Sequence, residues 1–341
     1  GVSAQIIPWN FPVEMTARSL SAALTTGNTV VVKPPEMTPL SNAWFAHAAE
    51  AVGLPKGAVN LVCGYGHQAG AALSAHPDIN QVVFTGSVAT GIAIASAAAK
   101  NVVPCVLELG GKSAAIVHSD ADLAAMETDI RKGIFINAGQ VCSAMSRIIV
   151  HESRHDELVQ RAVSIAESLS VGPGADRQTF GANMGPMVSV KQRDRAAGLV
   201  SEAVSQGAKL VTGGRAMNIP GAFLQPTVLA EVTPEMTIAQ TEVFGPVLSV
   251  LRFREDAEAI EIANGTDYGL VGGVFTRDLD RATQVARKIR AGQVFVNEWF
   301  AGGVETPFGG YGKSGYGREK GREALWNYVQ TKNIAIKLKR T

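Results

Sequence analysis

Cysteine is scarce: the 341 residues hold only Cys63, Cys105 and Cys142. Three widely spaced cysteines make no disulfide framework, which points to a reducing, cytoplasmic setting. Excess charge is missing too. The 31 basic and 30 acidic residues leave a formal +1, and no basic stripe forms, which argues against a nucleic-acid partner. No apolar run approaches the ~18 residues of a membrane span, which argues against a membrane partner. The chain opens GVSAQIIPWNFP, without an initiator Met or a charged leader. That opening has the alternation of a strand and reads as the later part of a longer polypeptide. What remains, 46% hydrophobic and 18% charged residues, suits a globular protein of about two domains.

Short β-branched runs alternate with helical segments from residue 1 to 110. Strands are expected at 2–7, 28–33, 58–63, 79–84 and 104–109. Between them lie helices beginning at Pro12, spanning 40–52 and 67–75, and starting at Gly91. This alternation predicts a doubly wound parallel sheet with helices on both faces. After Gly110-Gly111 the pattern restarts, with strands at 113–117 and 147–150, a helix at 120–136, and a further α/β set running to 294–297. A loop rich in Gly and Pro covers 171–187, a glycine-dense stretch covers 307–321, and a basic strand, NIAIKLK, is expected at 333–339.

Several motif matches have ordinary explanations. HESRH at 151–155 spells a zinc-protease pattern, but His151 ends a strand and His155 starts a helix, so the two splay apart. The Gly-Lys-Ser runs at 111–113 and 312–314 lack the first glycine of a phosphate loop; Val106 and Pro307 stand there. Gly64 to Ala69 imitates a dinucleotide fingerprint, without the acidic residue that should close the next strand. No metal site is expected.

Other features fit one another. FTGSVATG places Gly86 and Gly91 at a strand-to-helix turn, where bare backbone N–H groups can approach a pyrophosphate. Lys33 and Glu36 follow a strand at its carboxyl end, where open parallel sheets bind ligands and where the pair could hold ribose hydroxyls. Glu108 sits in an apolar strand, and burial raises a carboxyl toward the range of a general base. Asn10 occupies a loop after the first strand, where its amide could donate to an oxyanion. Taken singly, each could equally be a structural residue. Cys142, after Gly139-Gln140, could equally be a buried small hydrophobe.

Seven motifs occur in the order of the NAD(P)-dependent aldehyde dehydrogenase family: PWNFP, VVKPPE, FTGS, ELGGK, GQVC, EVFGPV and PFGGYGKSG. The chain resembles that family throughout, with roughly the first third of the family pattern absent. The resemblance implies that Cys142 is the nucleophile, Glu108 the base for the deacylating water, and Asn10 part of the oxyanion hole. For the cofactor it implies Ile6, Pro8 and Trp9 after the first strand, Lys33 and Glu36 at the adenosine ribose, and Phe84, Gly86 and Ser87 at the turn. Leu109 and Gly110 join them, with Glu242 and Phe244 at the nicotinamide ribose and ring. Cys63 and Cys105, inside strands, keep the structural role.

The expected fold is α/β. An NAD-binding domain spans 1–110 and 314–327, a catalytic α/β domain 111–313, and an oligomerisation strand 328–341. The resemblance implies a small-molecule aldehyde substrate, NAD (with NADP possible), and a homo-dimer or homo-tetramer. A catalytically silent fragment with a structural or binding role is the alternative. A CoA-acylating enzyme is disfavoured, because that subclass lacks the base at Glu108.

Overall fold

The computed structural model describes residues 1–174 and 184–338. Five short strands build the first sheet: β1 (Val2–Ile6), β2 (Thr29–Lys33), β3 (Val59–Leu61), β4 (Gln81–Thr85) and β5 (Cys105–Glu108). All pair in parallel, with β1 between β2 and β4. Ala4, Val30, Val32 and Val82 are wholly buried, as expected where both faces of a parallel sheet are covered. The covering helices are α1 (Pro12–Thr25), α2 (Leu40–Ala51), the short α3 (Ala71–Ser74) and α4 (Val88–Ala99). Pro12 opens α1, where its missing N–H costs nothing, and Gly27 at φ +80 lies just beyond its end.

The chain leaves β1 toward β2 on one side and returns to β4 on the other. The strand order therefore reverses between β1 and β4. A crevice opens beyond the carboxyl ends of strands at such a reversal. The loops that begin there carry Pro8, Trp9 and Asn10 from β1, and Gly86 and Ser87 from β4.

A second sheet follows: β6 (Ala114–Val117), β7 (Arg147–His151), β8 (Lys209–Thr212), β9 (Thr227–Ala230) and β10 (Val247–Phe253). After a two-residue ribbon strand β11 (Tyr268–Gly269) come β12 (Val271–Phe275) and β13 (Gln293–Val296). The order is β13-β12-β6-β7-β10-β9-β8, parallel except for β8 on β9. Its core is the larger one and includes Ile116, Ile148, Ile149, Leu248 and Val274. The glycine-dense stretch then forms β14 (Tyr311–Gly312), paired with β11, and β15 (Gly315–Tyr316), which lies antiparallel on β5. A segment late in the chain thus closes the edge of the first sheet beside Glu108.

Four expectations change. α4 begins at Val88, with Ser87 accepting from the Thr90 N–H, so Gly91 lies inside the helix and not at the turn. A Cβ there would come within 2.7 Å of Leu109 Cδ2, which explains the glycine by packing. The helix expected at 120–136 is α5 (Leu123–Ile130), and it widens into a π turn through Phe135. Cys63 lies past the end of β3 and is exposed, because β3 is only three residues long. The basic strand expected at 333–339, whose last residue lies outside the described residues, has no strand conformation at 333–338. Ile334, Ile336 and Leu338 are exposed there, since among the described residues no sheet edge pairs with the segment. The loop expected at 171–187 also falls partly outside the described residues.

His151 ends β7 and His155 opens α6 (His155–Glu167), each with its own partner, Ser153 and Asp156 respectively. Among the described residues no helix is long and apolar enough to cross a membrane.

Arg147 ties the second sheet to the segment after it. Its side chain is 1% exposed and donates to the carbonyls of Lys112, Ile262 and Ala263. Replacing Arg147 by Ala removes a donor from three carbonyls, of which Ile262 keeps the Gly265 N–H, and empties a buried site; we expect a loss of about 2–4 kcal/mol in chemical denaturation. A loss below about 1 kcal/mol would mean that water satisfies those carbonyls instead.

Candidate active site

Cys142 is presented by an unusual stretch of backbone. Asn137, Ala138 and Gly139 have φ of 51°, 52° and 69°, three consecutive left-handed residues. Such a run costs energy at each non-glycine residue and persists only where neighbours hold it. Gly139 is required: a Cβ there would come within 2.1 Å of the Gly245 carbonyl oxygen.

The neighbours that hold the loop come from far away in sequence. The Asn10 amide donates to the Gln140 carbonyl at 3.0 Å, and Asn137 donates back to the Asn10 carbonyl at 3.0 Å. Gln140 is 2% exposed; its side chain accepts from the Val188 N–H and donates to the Asn137 carbonyl. This accounts for the glutamine two residues before the cysteine: it is a buried strut. On the other side, the Trp299 indole N–H donates to the Ser143 carbonyl at 3.1 Å.

Two cavities meet at this loop. The first, about 310 Å³, lies at the switch point of the first sheet. Pro8, Trp9, Asn10, Gly86 and Ser87 line it from the β1 and β4 loops. Glu108, Leu109 and Gly110 line it from the end of β5, and Cys142, Glu242 and Phe244 from the second sheet's side. The second cavity, about 260 Å³, is walled by Phe11, Val141, Phe295 and Phe300. Cys142 and Met15 line both.

Four expected cofactor residues do not line the first cavity. Ile6 and Phe84 are buried core residues. Phe84 acts from below: a Cβ on Gly86 would come within 2.4 Å of its ring, so the turn stays bare. Lys33 and Glu36 lie farther out at the end of β2, joined at 2.8 Å. That ion pair holds the Glu36 carboxyl below its ordinary range.

Burial governs the charges. The Glu108 carboxyl is 3% exposed, and neither oxygen has a hydrogen-bond partner among the described residues. Desolvation, with Glu319 adding to it, pushes its pKa well above the carboxylate range, against the pull of Arg18 and Arg318. Glu242 accepts from the Gly111 N–H at 3.1 Å and is pushed up by burial to about 7. The Glu242 carboxyl packs on the bare Gly110 backbone, where a Cβ would come within 2.2 Å of Oε2 and displace it. Burial also pushes the Cys142 thiol up to about 12, although Arg18 draws it down. Trp9 and Phe244 meet edge to face, with ring centroids 5.4 Å apart.

Bare backbone at the start of a twelve-residue helix, a carboxylate beside Gly110 and an aromatic pair form a cradle that fits a dinucleotide. Among the described residues no group of three or more His, Cys, Asp or Glu is arranged to hold a metal. Sequence reading missed Gln192 and Arg195 in the first cavity, Trp299 behind the loop, and Arg18 in the second cavity. Arg195 spends its guanidinium on the carbonyls of Glu242 and Val243. None of these residues belongs to a motif.

The family model for the aldehyde dehydrogenase family matches residues 1–334. A rat protein, "Aldehyde dehydrogenase, cytosolic 1", is 44% identical over 339 residues, 99% of this chain and 67% of its own length. A mitochondrial aldehyde dehydrogenase from Leishmania tarentolae is 44% identical over 98% of the chain and 67% of its own. The chain thus spans about two thirds of the length of the curated relatives it matches. Among solved structures, a putative aldehyde dehydrogenase from Burkholderia cenocepacia superposes with a TM-score of 0.95 at 46% identity, covering 98% of this chain and 71% of that one. Betaine aldehyde dehydrogenase from Staphylococcus aureus, solved in complex with NAD+, gives 0.93 at 39% identity, covering 96% and 65%.

The thiol carries a pH prediction. A thiolate alkylates and a thiol does not, so for a pKa near 12 the rate grows about tenfold per pH unit. Iodoacetamide labelling of Cys142, followed by peptide mass spectrometry, should rise without plateau from about pH 7 to about pH 9.5. A plateau below about pH 9 would show that burial does not dominate the thiol.

Proposed function

The chain belongs to the aldehyde dehydrogenase family, and on that premise we propose that it oxidises an aldehyde to the carboxylic acid with NAD as hydride acceptor. The observation that carries this reading is Cys142 at the meeting of the two cavities, with Asn10 and Glu108 on the same cleft wall.

Cys142, having released its proton to solvent, attacks the aldehyde carbon through Sγ and gives the oxyanion of a thiohemiacetal. The Asn10 amide, which keeps one N–H beyond its bond to Gln140, and the Cys142 backbone N–H stabilise the oxyanion. NAD held in the cleft would supply the hydride acceptor for that carbon, which would leave Cys142 holding the acyl group as a thioester. Glu108 then removes a proton from the attacking water and the acid departs. A carboxyl raised by burial suits this step, because it binds the proton strongly once ionised. The cradle at Gly86, Ser87, Gly110, Glu242 and Phe244 would hold the cofactor, with Glu36 reaching the adenosine ribose. We assign 1–110 and 314–327 to the cofactor domain and 111–313 to the catalytic domain. Residues 328–341 would add an exposed strand to a second copy in a homo-dimer or homo-tetramer; the exposed Ile334, Ile336 and Leu338 favour such burial.

Cys142→Ala should abolish NADH formation while NAD binding, measured by fluorescence quenching, persists. Substantial turnover in that variant would end the mechanism. Glu108→Gln should give a burst of NADH followed by slow turnover, visible in stopped-flow absorbance; an unimpaired steady state would exclude Glu108 as the required base.

NAD should be preferred over NADP. The Glu36 carboxylate would accept from the ribose 2′-hydroxyl and repel a phosphate there. With 44% exposure and Lys33 beside it, the discrimination is roughly tenfold. Comparing kcat/KM for the two cofactors in wild type and Glu36→Ser checks this. A wild type that prefers NADP would remove Glu36 from the ribose site.

A further inference from the structure

Arg195 reaches the first cavity but aims its fork at backbone. It stands in the second turn of α7 (Val190–Ser205), which Ser189 caps by accepting from the Gln192 N–H and which Ala196, Val200 and Ala203 anchor in the core. Its Nη1 donates to the Val243 carbonyl at 3.0 Å and its Nη2 to the Glu242 carbonyl at 2.9 Å. Among the described residues no backbone N–H serves either carbonyl. The next residue, Phe244, has φ 55°. A bulky aromatic residue in the left-handed region costs energy and persists only where its surroundings hold it.

The same turn is hemmed in on its other sides. Gly245 faces α7, where a Cβ would come within 3.2 Å of Ala196 Cβ and Met187 Cε. The Gly245 carbonyl meets the bare Gly139 backbone before Cys142. Two side chains of the turn, Glu242 and Phe244, line the first cavity. The Glu242 carboxyl accepts from the Gly111 N–H, and the Phe244 ring meets Trp9 edge to face. Each is thus placed by a backbone that Arg195 fastens to a capped helix. A planar guanidinium meets two successive carbonyls at once; the compact ammonium of a lysine has no such fork.

We propose that Arg195 is a positioning residue for the cofactor, its two bonds fixing the Glu242–Phe244 turn and so the carboxylate and ring at the nicotinamide end of the cradle. This rests on the dehydrogenase reading above and adds to it a residue that acts through Glu242 and Phe244. The adenosine end is served by Lys33 and Glu36, which are fixed by their own ion pair on β2's loop. Arg195 therefore bears on one end of the dinucleotide and not on the other. Its side chain is exposed, so water competes for the two carbonyls and keeps the effect moderate.

The test measures, by calorimetry, the Kd of NAD and of AMP in wild type, Arg195→Gln and Arg195→Lys. Both variants should weaken NAD about fivefold or more, while AMP changes by less than about twofold. Arg195→Lys keeps the positive charge, so full recovery of NAD binding in that variant would mean plain charge attraction and overturn the proposal. Equal loss of NAD and AMP would mean general damage and overturn it too. Amide hydrogen exchange without cofactor gives the local readout. The peptide spanning 241–247 should exchange faster in both variants than in wild type, with the β4 peptide unchanged; unaltered exchange at 241–247 overturns the proposal. A wild type that binds no NAD overturns the dehydrogenase reading instead, and the exchange measurement then decides the positioning role by itself. Arg195→Lys carries the test should Arg195→Gln fail to fold.

Discussion

Desolvation is the constraint on which the rest of the site depends. Cys142, Glu108 and Glu242 share one cleft, and each is pushed toward its neutral form. Lys112, two residues beyond Gly110, is pushed the same way, down to about 7. The cleft therefore carries less charge than its residue types suggest. Charge develops on the proposed pathway in steps, and each step has a group nearby to receive it. A thiol at its ordinary acidity would be partly ionised at rest and open to oxidation and alkylation. Here the nucleophile is held back until something in the cleft favours the thiolate.

Holding these groups in one place requires the two sheets to be locked together. The lock is the loop before Cys142. Asn10 belongs to the first sheet's crevice, Val188 precedes α7 (Val190–Ser205), and Trp299 follows β13. These three anchors hold the ends of the stretch from Gln140 to Ser143: the carbonyl and side chain of Gln140 and the carbonyl of Ser143. The left-handed run at Asn137 to Gly139 is the conformational cost of turning that backbone into the cleft. The Asn10 amide spends one N–H as an anchor in that lock.

The parallel first sheet was legible because strands buried on both faces write uninterrupted apolar runs, as in TVVVK and QVVFT. Glu108 was legible for the opposite reason: a carboxylate interrupts such a run. The start of α4 departs from the sequence expectation because Ser87 caps it while Gly91 suggests a break; packing on Leu109, not turn geometry, accounts for that glycine. The C-terminal segment, expected to pair with a partner subunit, has no strand conformation at 333–338 in the single chain, because a strand also needs an edge to pair with. Arg18 and Trp299 could not be read at all. Each acts through a contact made across the fold: Trp299 with Ser143, 156 residues away, and Arg18 with Glu319 and Phe308. No local pattern encodes such a meeting.

The two cavities differ in the ionisable groups that line them. The first holds Glu108 and Glu242, with Arg195 occupied by backbone carbonyls. The second holds Arg18, Lys320 and Glu14. The thiol lies between them, and Arg18 is the strongest charge favouring its ionisation. Glu319 lies 2.8 Å from Arg18 on the other side, so the ion pair that fixes Arg18 also sets how much of its positive field reaches the thiol.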